Sequence, residues 1–448
     1  MIGEFTKNTL ITTVTRVLQL ILGIGTSIII ARVLGPEGKG IYSLAILLPG
    51  LLAVFTNLGI GPASVFYIGK KKYSPKEVFG TNIIFAGLIS IFTIIIGLII
   101  VFFFSDKLFP GVPKECLFLA LSVIPLQFFS GFAVHILLGL QKIKKYNFIQ
   151  LIQNFIFLFL IIIFLLGLRF GVKAVITANI LAIFVGSVVL FLQTKKETNG
   201  IVFSLNREII KDFVLYGSKI YLGNILSFLH YRIDMFMLNV FLNPIAVGFY
   251  SVAAALAEKI WLISQSAGTL LFPRVSSETN EESLNKFTPL VCRNTLFITT
   301  LSAIFLFLIG RWLIILLYSK EFSNSVLPFQ ILLIGAITIS GWRILASDLN
   351  GRGKPLLNSY ITGISVIINI ILNIIFIPKF GINGAAWATA ISYTIVLIIT
   401  IIVYSKISCN KITDILFVKK SDLKFYKNFL KSLKNKYLKP KKIYEKWS

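Results

Sequence analysis

Apolar runs long enough to cross a bilayer as helices recur along nearly the whole chain, each bounded by a short cluster of charged residues, glycine or proline. Twelve such runs fall near 9–33, 41–68, 81–104, 115–138, 148–167, 172–192, 212–242, 246–272, 286–309, 325–346, 356–378 and 384–407. The first contains Arg16 and Gln19 and has no small-residue cleavage site, so it is expected to be a retained span and not a removed signal peptide. Beyond 407 the pattern changes. Leu416, Leu423, Tyr426, Leu430, Leu433 and Tyr437 return at helical steps among 13 lysines counted from 405 onward. That predicts a basic amphipathic tail lying on an anionic membrane surface, with a solvated tail as the alternative.

Composition supports the membrane reading. Of 448 residues, 56% are hydrophobic and 14% charged, with a mean hydropathy of +0.86; soluble domains carry about 25% charged residues. The fold class expected is all-α integral membrane. Lys and Arg on alternate loops divide 17 to 9 before the tail, with Lys70, Lys71, Lys72, Lys142, Lys144 and Lys145 on the richer side. The positive-inside rule makes that side cytoplasmic and, with an even number of spans, places both termini there. Cys116, Cys292 and Cys409 are far apart and the two histidines, His135 and His230, cannot complete a metal set with them. No cofactor is expected, and because the Gly-Lys dipeptides lack the rest of a phosphate loop, ATP hydrolysis by that route is not expected. Nucleic acid is not expected as a partner either; membrane lipids are.

An internal repeat organises the spans. Residues 34–45 (LGPEGKGIYSLA) match 242–253 (LNPIAVGFYSVA) at six of twelve positions. Val123–Gln127 echoes Val326–Gln330, and Arg169-Phe170-Gly171-Val172 echoes Lys379-Phe380-Gly381-Ile382. With six spans per half the two repeats have the same topology, and an axis along the membrane normal should relate them. The expected organisation is a six-helix bundle over 1–195, a cytoplasmic linker over 196–211, a second six-helix bundle over 212–407 and a basic tail over 408–448. Two such bundles facing one another around a central cavity form a transporter plan.

Polar positions mark the expected cavity. Arg16, Gln19, Gly23 and Thr26 share one helix face, and the repeat carries them onto Asn224, Ser227, Tyr231 and Asp234. In lipid such a stripe must face a wet cavity or bridge helices within a bundle. The cations Arg16, Lys219, Arg232, Arg293 and Arg343 fall within or at the edge of spans, with Arg16, Lys219, Arg293 and Arg343 toward the cytoplasmic third. Arginine suits bidentate phosphate contacts, so this group predicts an anionic headgroup; snorkelling or internal ion pairs are the competing uses. Asp234 and Glu258 are the candidates for a coupling H⁺ or Na⁺, or for a structural ion pair.

The segment Ala31-Arg32-Val33-Leu34-Gly35-Pro36-Glu37-Gly38-Lys39-Gly40, then Leu58-Gly59-Ile60-Gly61, and the later Tyr231-Arg232-Ile233-Asp234-Met235-Phe236-Met237-Leu238 with Gly248-Phe249-Tyr250-Ser251 carry a resemblance. In order, they resemble the polysaccharide transporter flippases of the multidrug, oligosaccharidyl-lipid and polysaccharide exporter superfamily. The resemblance implies twelve spans in two lobes and alternating access. It implies transfer of an undecaprenyl-diphosphate-linked oligosaccharide from the inner to the outer leaflet of the cytoplasmic membrane, for O-antigen, capsule or exopolysaccharide assembly. Arg16 and Arg232 would then face the diphosphate, and a glycan polymerase and chain-length regulator would be the partners. A cation-coupled drug antiporter on the same fold and a substrate-free scaffold are alternatives. So is a membrane glycan polymerase or ligase, although no paired carboxylates or nucleophile motif support an enzyme.

Overall fold

The structure, a computed structural model, describes residues 2–422 apart from 169, 205, 279 and 421; the side chains of 2–13, 16, 219 and 220 also lie outside the description. Every regular element among the described residues is helical. Among the described residues nine helices are long and apolar enough to cross a membrane, from Val17–Thr56 to Pro355–Ser408. Their outward surfaces carry large apolar side chains, among them Phe103 (77% exposed), Leu308 (70%) and Trp312 (79%). In water that surface would be a severe liability; in hydrocarbon it is the appropriate solvent-facing surface, and backbone groups satisfied within helices complete the requirement.

Breaks in the long helices have local causes. The helix Ile2–Thr56 is interrupted at Gly35 (φ 64°, ψ −174°), followed by Pro36, which has no N–H to continue the ladder. The helix Pro355–Ser408 breaks at Gly381 (φ 58°, ψ −133°), three residues after Pro378. Gly35 opens the first copy of the repeat motif, and Gly381 lies in the Lys379–Ile382 match. Elsewhere, Asn206 caps the helix Arg207–Phe241 by accepting the Glu208 N–H at 2.9 Å. Lys195 and Lys196 end Val172–Glu197, where cations oppose the helix dipole.

The chain packs as two compact units. One comprises Met1–Leu256, Ile309–Leu332 and Val366–Thr389; the other comprises Ala257–Leu308, Leu333–Ser365 and the described residues from Ala390 onward. In the first unit, Ile30, Ile161, Leu165, Val175 and Ala178 form one apolar cluster, and Ala133, Leu137, Ile149 and Leu190 another. The second unit contains the paired arginines described below and the short helix Ile412–Leu416. The predicted amphipathic stripe from Leu423 to Tyr437 lies outside the described residues.

Candidate functional site

Within the first unit the repeat motif packs against itself. A Cβ on Gly40 would lie 1.7 Å from the carbonyl oxygen of Pro244, and one on Gly248 would lie 1.9 Å from that of Pro36. Gly40 matches Gly248 and Pro36 matches Pro244 in the repeat. Contact of each copy with the other through the same residues is what a two-fold axis produces. Only glycine permits this backbone approach. A second close crossing joins Gly59 to Gly217, where an added Cβ on either would come within 2.4 Å or 2.2 Å of backbone oxygen. Around it, Phe66 stacks on Tyr216 at 4.3 Å, Tyr67 lies parallel to Phe213 at 5.6 Å, and Lys72 bonds Asp212 at 2.6 Å. The Asp212 and Tyr73 hydrogen bonds hold the Lys72 ammonium above its ordinary pKa.

Near the first crossing, Arg32 donates from Nε to the Leu317 carbonyl at 2.8 Å and from Nη2 to that of Leu316. These are orphan carbonyls at the end of Glu281–Tyr318, where a cation also meets the negative pole of the helix. Lys39 is buried, with its ammonium 3.4 Å from Ser27 Oγ; the Tyr318 hydroxyl approaches the same oxygen at 3.4 Å. Sequence reasoning singled out neither Arg32 nor Lys39 as a candidate site residue.

The polar stripe on Arg207–Phe241 resolves into separate environments. Asn224 is exposed, and Arg232 is half-buried with Nη1 3.1 Å from the Tyr231 carbonyl. Asp234 is buried and accepts from the Met235 amide at 2.8 Å, the Thr389 hydroxyl at 3.1 Å and the Tyr250 hydroxyl. Tyr250 is the repeat mate of Tyr42, a signal visible in the motif; Thr389 had none. Gln19, on the matching stripe, donates to the Asn147 carbonyl at 3.2 Å. His230 is buried and stacks against Tyr231. The side chains of Arg16 and Lys219 lie outside the described residues.

The second unit uses its cations differently. Arg293 forms a two-point pair with Asp422, at 2.5 Å from Nε and 2.9 Å from Nη2, and adds the Asp414 carbonyl at 3.1 Å. The internal ion pair, one of the uses the sequence left open, is the one found. Arg343 lies over the Trp261 ring at 4.4 Å, a cation–π contact that fixes the plane of a bidentate donor. Glu258 and Lys259 are half-buried in the 3₁₀ turn Glu258–Ile260, which interrupts the helical run Pro244–Ser277. Such a turn inside a helix is a common hinge device. Sequence reasoning missed Asp348, which is fully buried, bonded by Thr288 Oγ1 at 2.5 Å and by Arg352 Nε at 2.5 Å. Its four-residue spacing from Arg352 was the available signal. Among the described residues no three metal-ligating side chains converge.

The family profile described as polysaccharide biosynthesis protein matches residues 5–278, more than half of the chain. The chain belongs to the polysaccharide biosynthesis protein family. Relatives include a Haloferax volcanii protein named as a low-salt glycan biosynthesis flippase, Agl15, 25% identical over 82% of this chain and 76% of its own length. A Shigella flexneri protein named as an O-antigen transporter is 26% identical over 80% of this chain and 87% of its own. The fold is that of the solved lipid II flippase MurJ in its inward closed conformation: TM-score 0.77 at 18% identity, covering 98% of this chain and 94% of that one. The glycine crossing therefore joins the two copies of a repeat within a polysaccharide biosynthesis protein that has a flippase-type fold.

Proposed function

We propose that the protein is a flippase that moves a polyprenyl-diphosphate-linked oligosaccharide from the inner to the outer leaflet of the cytoplasmic membrane by alternating access. Family membership sets the class, and the reciprocal Gly40–Gly248 contact is the observation that carries the mechanism. A two-fold seam built from bare backbone is a closure that can part without breaking side-chain interlocks. In this reading the two glycine-broken helices each count as two spans and Arg207–Phe241 is also one, so the nine apolar helices become twelve spans in two sixfold halves. Both termini are cytoplasmic, following the lysine-rich loops. The Gly40–Gly248 seam then closes the outer side and the Gly59–Gly217 crossing the inner side.

Arg232 and Arg16 are our candidates to meet the diphosphate, with Gln19 and Asn224 on the sugar and Lys219 in the same inner vestibule; Arg343 is a separate phosphate-binding candidate within its own unit. Asp234 is the candidate coupling group for H⁺ or Na⁺, with Glu258 second. A glycan polymerase and a chain-length regulator would receive the product. The test is export of surface glycan in cells whose own copy is deleted. Arg232→Glu should insert normally yet abolish export. Unchanged surface glycan in that variant would remove the cationic vestibule, and efflux of a cationic dye dependent on Asp234 would favour a drug antiporter instead.

A further inference from the structure

A cavity of about 670 Å³ opens in the first unit beside the second copy of the repeat motif, lined in part by Asn243, Phe249, Arg311, Asn324 and Asn383. It is not assigned to the transport path above. Among the described residues no acidic side chain lines it, and the one formal charge is the Arg311 guanidinium. Arg311, Asn324 and Asn383 make no side-chain hydrogen bond or ion pair among the described residues, although nearly every other intramembrane cation discussed here is engaged. The helices Pro244–Ala257 and Val326–Gly351 begin at its wall, adding the positive ends of two helix dipoles. On the helix that bears Arg311, Trp312 and Leu316 are exposed apolar side chains.

A second cavity lies at the repeat-related position. A cavity of about 450 Å³ is lined by Phe170, Gly171 and Lys173, and the Phe170-Gly171 match carries Gly171 onto Gly381 and Lys173 onto Asn383, both of which line the larger cavity. Among the described residues, its lining also holds one cation and no acid. A single cation, amide side chains able to donate and accept, and an apolar flank for a chain are the features of a site for a hydroxylated anionic amphiphile.

We propose that the larger cavity binds the glycerol-phosphate headgroup of an anionic membrane lipid. Arg311 takes the phosphate, Asn324 and Asn383 take the glycerol hydroxyls, and the acyl chains run along the exposed face of Trp312 and Leu316. Placement in the outer leaflet rests on the orientation given under the proposed function; the binding does not.

The test uses the full-length protein in detergent, with retained lipids counted by native mass spectrometry after exposure to dioleoyl-phosphatidylglycerol or dioleoyl-phosphatidylcholine. Phosphatidylglycerol should be retained preferentially. Arg311→Gln should weaken it by about fivefold, the equivalent of one cation's contribution at a membrane surface. Lys320→Gln, outside the lining, should leave it unchanged. Asn383→Asp, which sets a carboxylate in the lining, should erase the preference even if Arg311→Gln gives no folded protein. Equal retention of the two lipids, or an undiminished preference in Arg311→Gln or Asn383→Asp, would overturn the proposal. Displacement by soluble glycerol 3-phosphate without any lipid preference would also overturn it, in favour of a free phosphoester. None of these readouts depends on transport, so a failed export assay and a failed lipid site are separable.

Discussion

Three buried aspartates of this protein are held in two different ways. Asp234, in the first compact unit, takes its near hydrogen bonds from two hydroxyls and a backbone amide. Asp348 and Asp422, in the second, are each bonded by a guanidinium, with side-chain exposures of 0% and 4%. A carboxylate paired with arginine cannot accept a proton without stranding the partner charge, so it is fixed in one state. A carboxylate held by neutral groups can exchange its charge for a proton or a bound cation while its donors reorient. Under the proposed coupling role the hydroxyl-held acid is the one suited to cycling, while the arginine-held acids are suited to fastening helices and tail together.

The contrast can be broken hardest at Asp348. Asp348→Ala leaves the Arg352 guanidinium, itself 8% exposed, without its carboxylate and should lower stability by about 3–5 kcal/mol. Thermal unfolding of the detergent-solubilised protein measures it; a loss under 1 kcal/mol would show that the pair is dispensable. The Asp422 latch should respond to acid. The Arg293 hydrogen bonds hold the Asp422 carboxyl below the usual carboxylate range, and the Lys419 hydrogen bond does the same for Asp414. A depressed folded pKa contributes stability above the ordinary carboxylate value, and that contribution is lost as pH falls through the folded pKa. Hydrogen exchange over 412–422 should stay slow at neutral pH and accelerate only below about pH 4; acceleration already at pH 6 would contradict the ion pair as the fastening.

The smallest change in stability is expected at Asp234. Asp234→Asn keeps one oxygen to accept from Tyr250 or Thr389, and Thr389→Val removes a single donor; each should cost about 0.5–1.5 kcal/mol. Export should nonetheless fall sharply in Asp234→Asn and only slightly in Thr389→Val. Equal export in Asp234→Asn and the parent protein would place Asp234 with the structural acids.

Membrane class, most of the long apolar helices and the internal repeat were legible in the sequence, because lipid imposes a long apolar run on every crossing helix and duplication leaves matching loop residues. Gly35 with Pro36, and Gly381 after Pro378, announce helix breaks through local backbone chemistry alone. The buried acid Asp234 was visible as a charge that lipid would not tolerate unpartnered. Its partners were not: Tyr250 and Thr389 are 16 and 155 residues away, and hydroxyls are too common in spans to single out. Arg293 shows the same limit. From sequence it was equally a phosphate ligand and an ion-pair partner, and only the path of the chain from 408 to 422 decided between them. Solvent preference acts on each residue where it stands, so hydropathy reads directly from the sequence. Charge compensation acts over a few ångströms of space, so the identity of each partner belongs to the tertiary structure.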